Sequence, residues 1–147
     1  MKLVYLGLII WAGTFFLGCA KKISHPVPSP SPWIHLYSIN GNHEILEMHK
    51  GEELVMIFWT TKCSHSVSKL LDLNSVASRN SKAKYFAVNL DDLDDKEQVK
   101  HLISKTPHLK HYFSGNGNFD AAWVALRGLA VPAIVYFDEN LIIKKVE

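Results

Sequence analysis

Apolar positions change rhythm several times along the chain, and each rhythm predicts a different element. Glu53 to Trp59, ELVMIFW, is apolar at consecutive rather than alternate positions, the pattern of a central strand covered on both faces. Val67, Leu70, Leu71 and Ala77 then recur at helical spacing, which predicts a helix starting after Cys63 and ending near Asn80. KYFAVNL, residues 84–90, reads as a second central strand. DDLDDKEQVKHLISKTP, residues 91–107, predicts a helix with acids in its first turn, Lys100, His101 and Lys105 later and Pro107 beyond its end. That order of charge complements the helix dipole. Upstream, WIHLYSI and HEILEM, joined by NGN, read as a β-hairpin, because Asn-Gly supplies the positive φ angles of tight turns. Downstream, the turn formers SGNGN precede a short helix over Asp120 to Arg127, with Phe119, Trp123 and Leu126 on one face and Gly128 as its stop. VPAIVYFDENLIIKKVE closes the chain as a strand after Pro132, a turn at Asp138 to Asn140 and a final strand. The order βαβ followed by αββ predicts an α/β domain, a central mixed sheet flanked by helices with an N-terminal hairpin extension.

The first residues follow another logic. One positive charge at Lys2 precedes an apolar run from Leu3 to Leu17, 15 residues, where a membrane-spanning helix needs roughly 20. Residues 1–18 therefore read as a signal peptide. FLGC followed by Ala20 resembles the lipobox of bacterial lipoproteins, although Phe16 and Leu17 depart from its commonest pattern. The resemblance implies cleavage before Cys19 and acylation of its sulfur. Ala20 to Pro32 has proline at every second position from Pro26 to Pro32, which enforces extended backbone. Residues 19–32 are thus expected to be a lipidated cysteine and semi-rigid tether, and residues 33–147 the folded domain. At about 3.1 Å per residue the tether reaches roughly 40 Å from a lipid surface.

Charge and cysteine content narrow the chemistry. The formal net charge of +2 is spread along the chain, which excludes a polyanion-binding surface, so nucleic acid is not expected as a partner. Asp91, Asp92, Asp94 and Asp95 lack the spacing and glycine of a calcium loop and read as a solvated helix face. The eight histidines, His101, His108 and His111 among them, form no tight ligand pattern with the cysteines, so no metal and no cofactor is expected. Lipidation of Cys19 would leave Cys63 as the single thiol. Were Cys19 retained unmodified, a bridge between the two would remain open.

A strand ending in Phe58-Trp59, three residues, a cysteine opening a helix, a further strand and a distant Val-Pro before a β-hairpin together resemble the thioredoxin-like superfamily. YSINGNHEILEMHKGEELVMIFWTTKC resembles more narrowly its exported, membrane-tethered TlpA-like branch, and the similarity spans roughly Ile34 to Val146. The resemblance places the first cysteine of the family's Cys-x-x-Cys motif on Cys63, the intervening positions on Ser64 and His65, and the second cysteine on Ser66. It places the cis-proline and the residue before it on Pro132 and Val131. A buried acid that thioredoxins keep two residues before the tryptophan is Ile57 here, so that proton shuttle does not carry over. The family usually closes with a helix after the last strand, and none is expected in this chain, which leaves one sheet face thinly covered.

A thiol reacts as its thiolate, and a free cysteine with pKa near ~8.5 is mostly protonated at neutral pH. Three features favour the anion at Cys63: the helix N-terminus, the neighbouring Lys62, and His65 as a hydrogen-bond donor. Each has a plainer reading, as a buried small side chain, a solvated lysine and an exposed histidine. Trp59 either flanks the groove or is a core aromatic. Pro132, if cis, presents the backbone of Val131 to an extended client; otherwise it merely begins a strand. Ser66 cannot form a disulfide, so any mixed disulfide at Cys63 must wait for an outside thiol.

The expectation is an extracytoplasmic lipoprotein of a bacterial cell envelope, a monothiol oxidoreductase or isomerase-like enzyme. Its partners would be protein thiol or disulfide clients, an external reductant thiol and, through the anchor, the membrane. The alternative is a redox-inactive module of the same fold that binds an envelope protein or unfolded client.

Overall fold

The computed structural model describes residues 35–115 and 130–147. Strands β1 (His35–Tyr37) and β2 (His43–Ile45) form an antiparallel pair, followed by a 3₁₀ turn over Leu46–His49. Then come β3 (Glu53–Trp59), α1 (Ser64–Ala77), β4 (Ala83–Asp92), a 3₁₀ turn over Leu93–Asp95, α2 (Lys96–Ser104) and β5 (Lys110–Gly115). β6 (Ala133–Phe137) and β7 (Ile143–Val146) complete the described elements. The main sheet has the order β5-β4-β3-β6-β7. β4 is parallel to β3 and to β5, whereas β6 is antiparallel to β3 and to β7, so the sheet is mixed as expected.

The consecutive apolar residues of β3 are explained by a core on each side of it. Leu54, Met56 and Phe58 join Phe86, Val88, Val135 and Phe137 on one face, closed by Leu36 and Leu46 from the hairpin region. Val55, Ile57 and Trp59 face the other way, onto Leu70 and Leu73 of α1 and Val99 of α2. Burying a large apolar side chain of this kind contributes roughly 1.5–3 kcal/mol, which makes β3 the strand least able to shift. The residues at its C-terminal end, where the cysteine turn begins, therefore start from a fixed point.

Three expectations change. The hairpin is shorter than predicted: its loop runs from Ser38 to Asn42, with only Gly41 at positive φ (86°), and Leu46–His49 turns into 3₁₀ instead of continuing the strand. Hydrogen bonds from the Ser38 amide to the Asn42 carbonyl and from the Asn42 amide to Ser38 Oγ close that wider loop. The second helix begins at Lys96 rather than at Asp91, because Asp91 and Asp92 still belong to β4 and Asp92 pairs with Gly115. β5 was not predicted at all. Trp33, Ile34 and the helix expected over Asp120–Arg127 lie outside the described residues, as do the signal peptide and tether.

Candidate functional site

β3 delivers Trp59 to the end of the sheet, and the turn Thr60–Lys62 hands the chain to Cys63, the N-cap of α1. Cys63 has extended backbone (φ −123°, ψ 111°), is a free thiol of intermediate exposure, and makes no side-chain capping hydrogen bond. A helix leaves the N–H groups of its first turn without intrahelical acceptors, so the sulfur sits where unpaired donors and a partial positive charge collect. The Val67 amide donates to the Cys63 carbonyl at 3.1 Å, which closes the first turn.

The turn itself is hung from a strand end. Asp91, the last buried residue of β4, is 2 % exposed and is the single carboxylate among the described residues that is buried. Thr60 Oγ1 donates to its Oδ1, and the Thr61 amide donates to Oδ2 at 2.7 Å. Asn89 Nδ2 also donates to Oδ2 at 2.9 Å, while the Asp91 amide donates to Asn89 Oδ1 at 3.1 Å. Burial pushes the Asp91 carboxyl up, but the hydrogen bonds from Thr60, Asn89 and Thr61 outweigh it and hold the group below the usual aspartate range. Lys62 contributes its amide to Thr60 Oγ1 at 3.2 Å. Finally, the Thr60 amide donates to Ser66 Oγ at 3.0 Å. Ser66 is fully buried, so its hydroxyl is a brace across the segment that carries Cys63.

The other sequence-predicted residues fall out as follows. Lys62 does not offer a free cation to Cys63: its Nζ lies 2.9 Å from Asp95 Oδ2 and 3.8 Å from Asp92 Oδ2. The hydrogen bond with Asp95 raises its pKa, with the Asp95 and Asp92 charges adding to it. His65 is exposed and has no hydrogen-bond partner among the described residues. Trp59 is 0 % exposed and packs in the α1 face of the core. The Val131–Pro132 peptide is cis. Because Phe58 pairs with Ala133, Pro132 follows at the level of Trp59, the same end of the sheet as the cysteine turn. Of the histidines, His35 Nδ1 and His43 Nε2 meet at 2.6 Å across the hairpin, His111 is turned to Thr106 with its pKa lowered by burial, and His101 lines a hollow of about 470 Å³ with Thr61, Glu97, Gln98 and Leu102.

Thr60, Asn89 and Asp91 were missed by sequence reading. A signal existed: Asn89 and Asp91 stand two apart on the face that Tyr85 and Ala87 present to α1, at the C-terminal end of a parallel strand. In open α/β sheets that end of the strands is where sites form.

Neither a protein-family model nor a curated protein matches the sequence. Solved structures do match its shape. A secreted Mycobacterium tuberculosis disulfide oxidoreductase, described as homologous to DsbE of E. coli, superimposes with a TM-score of 0.66 at 16% identity, over 77% of this chain and 81% of that one. The pneumococcal exposed lipoprotein thioredoxin of Streptococcus pneumoniae gives 0.64 at 17% identity, over 77% and 86%. The thioredoxin domain of a Bacteroides vulgatus thiol-disulfide oxidoreductase gives 0.64 at 20% identity, over 84% and 89%. The fold is thioredoxin-like. At these identities the likeness establishes the architecture. Fold does not carry function with it, so the chemistry must be argued from the site.

Proposed function

We propose that this chain is an extracytoplasmic, membrane-tethered protein of thioredoxin-like fold that exchanges disulfides through one thiol, Cys63. The observation that carries the reading is the placement of a free, partly exposed cysteine as N-cap of α1 with its sulfur unengaged. The Cys63 thiolate bonds to one sulfur of a client disulfide, the client S–S bond breaks, and the departing sulfur leaves as a thiolate that takes a proton from solvent. An outside thiol, from the client or a small reductant, then attacks the mixed disulfide and returns Cys63 to its starting state. No electrons are gained or lost by the chain over the cycle, which is the signature of shuffling or of thiol transfer rather than of a dithiol oxidase. Exposed His65 stands beside the incoming disulfide, and Val131 and Pro132 offer backbone to an extended client. The tether reading rests on Cys19 and the proline-rich stretch after it, and two neighbours described as a secreted oxidoreductase and an exposed lipoprotein thioredoxin favour the same compartment.

Incubation of the protein with glutathione disulfide at pH 7 tests the proposal. A one-to-one mixed disulfide should appear by intact mass, faster than with a cysteine in an unstructured peptide, and Cys63→Ser should abolish it. A rate equal to that of the peptide would end the catalytic reading. One observation favours the alternative, a binding module: Lys62 is neutralised by Asp95 and Asp92. In that case Cys63→Ser would leave client capture intact.

A further inference from the structure

The turn that carries Cys63 is tied at both ends, and both ties run through Thr60. Its amide is held by the buried hydroxyl of Ser66 on α1, and its own hydroxyl is held by the buried carboxylate of Asp91 on β4. A second Asp91 oxygen takes the Thr61 amide and Asn89 Nδ2. Three donors from two elements thus converge on one carboxylate, which has the lone pairs to accept them all. Ser66 closes the same path on the helix side. The segment from Thr60 to Ser66 is a loop pinned at its two ends, with Cys63 in its middle.

We propose that Asp91 is the positioning residue of the Cys63 site, acting through Thr60 and Ser66 to fix where the sulfur stands at the mouth of α1. This rests on the disulfide-exchange reading given above. Asp91 neither touches the reacting sulfur nor is a proton carrier for it; its oxygens are occupied by Thr60, Thr61 and Asn89. The charged groups around it are Lys62 from the turn and, through Lys62, Asp92 and Asp95. β3 presents only the Trp59 carbonyl, which Asn89 Nδ2 meets at 3.5 Å, α1 presents the neutral Ser66 hydroxyl by way of Thr60, and α2 brings Glu97 and His101 to the hollow beside Thr61. The chain thereby keeps a buried acid under its nucleophile turn, but on β4 and in a bracing role, where Ile57 fills the β3 position.

The geometry predicts a specific pattern of rescue. In Asp91→Asn the amide oxygen still accepts from Thr61 and Asn89, and the amide N–H₂ donates to a Thr60 hydroxyl whose proton turns away. In Asp91→Ala all three donors lose the carboxylate, and only Asn89 keeps another acceptor, the Trp59 carbonyl at 3.5 Å. Thr60→Val removes one tie and leaves Asp91 bonded to Thr61 and Asn89. A misplacement of about 1 Å can cost on the order of 10²-fold in rate.

The experiment measures the rate of mixed-disulfide formation between full-length protein and glutathione disulfide at pH 7, well below each variant's Tm. Asp91→Ala and Thr60→Val should slow it by about tenfold or more, while Asp91→Asn should recover to within about threefold of the parent. Leu36→Ala, a cavity on the opposite core face, should lower Tm without changing the rate. Folded Asp91→Ala and Thr60→Val proteins that react at the parent rate would overturn the positioning role alone, and if Asp91→Ala does not fold, Thr60→Val decides. A rate that falls equally in Leu36→Ala would also overturn it, by showing that reactivity follows global stability. A parent protein no faster than a peptide cysteine would overturn both this role and the function on which it rests.

Discussion

Two carboxylates in this molecule each gather hydrogen bonds from three residues, and they do different work because their donors differ. Glu44, on β2, accepts from Lys110 and Tyr112 of β5 and contacts His49 at 3.0 Å, so it latches the N-terminal hairpin to the edge of the main sheet. Burial pushes its carboxyl up, and the hydrogen bonds from Lys110, Tyr112 and His49 and the Lys110 charge more than compensate. Asp91 is satisfied by a hydroxyl, a backbone amide and a side-chain amide, all neutral. The Glu44 latch is therefore an ion pair between elements, half in solvent, whereas the Asp91 brace is a buried anion held by dipoles. A latch of the first kind fastens an element that the fold has already placed; a brace of the second kind decides where a single turn stands.

Removing each carboxylate should separate the two most clearly. Asp91→Ala leaves the Thr61 amide and the Thr60 hydroxyl without an acceptor and Asn89 Nδ2 with only the Trp59 carbonyl at 3.5 Å, and each unpaired buried donor costs about 1–3 kcal/mol. We expect a loss of about 3 kcal/mol in chemical denaturation. Glu44→Ala leaves the Tyr112 hydroxyl unpaired but releases Lys110 to water, for a loss of about 1 kcal/mol. Equal losses would show that the charge of the donors does not matter, and the comparison would collapse.

The acid limb of stability is a finer test. Both carboxyls are held below their ordinary range in the folded state, so each binds its proton less readily folded than unfolded. Their contributions are complete above the ordinary carboxylate range and are lost as pH falls through the depressed folded values. The stability difference between the parent and Asp91→Asn should thus shrink from pH 6 toward pH 3, and likewise for Glu44→Gln. A difference that stays constant over this interval in either variant would show that its carboxyl is not held low by folding.

How far the sequence disclosed these regions follows from the kind of signal each left. β3, α1 and β4 were legible because their apolar positions are consecutive or helically spaced over seven or more residues. β5 was not: Lys110–Gly115 is short and lies between Pro107 and a glycine-rich stretch of sequence, so its His-Tyr-Phe core was assigned to no element. At the site, the cysteine at a strand-to-helix junction was legible from the apolar pattern on either side of it, whereas Pro132 was singled out only through the resemblance to thioredoxin-like proteins. Asp91 was hidden by its neighbours, since Asp92, Asp94 and Asp95 make a run that reads as solvated, and only the pairing of Asp92 with Gly115 on β5 shows that the strand continues past Asp91. The resemblance to thioredoxin-like proteins drew attention to Ser66, but nothing in the sequence marked it as a hydrogen-bond acceptor for Thr60, a contact that depends on how far the turn folds back.

Salt should produce the smallest effect and the sharpest distinction. The Lys110 side chain is 49% exposed and that of Glu44 25%, so solvent ions reach the pair, whereas no cation contacts Asp91 at all among the described residues. At physiological ionic strength the screening length is about 8 Å and at 1 M about 3 Å. Raising salt from 0.05 to 1 M should reduce the stability difference between the parent and Glu44→Gln by about 0.5 kcal/mol and leave that for Asp91→Asn unchanged. Dipoles at hydrogen-bond distance from a buried oxygen leave no room for an ion to intervene, and that is why the turn beneath Cys63 should hold its geometry in media that loosen the hairpin.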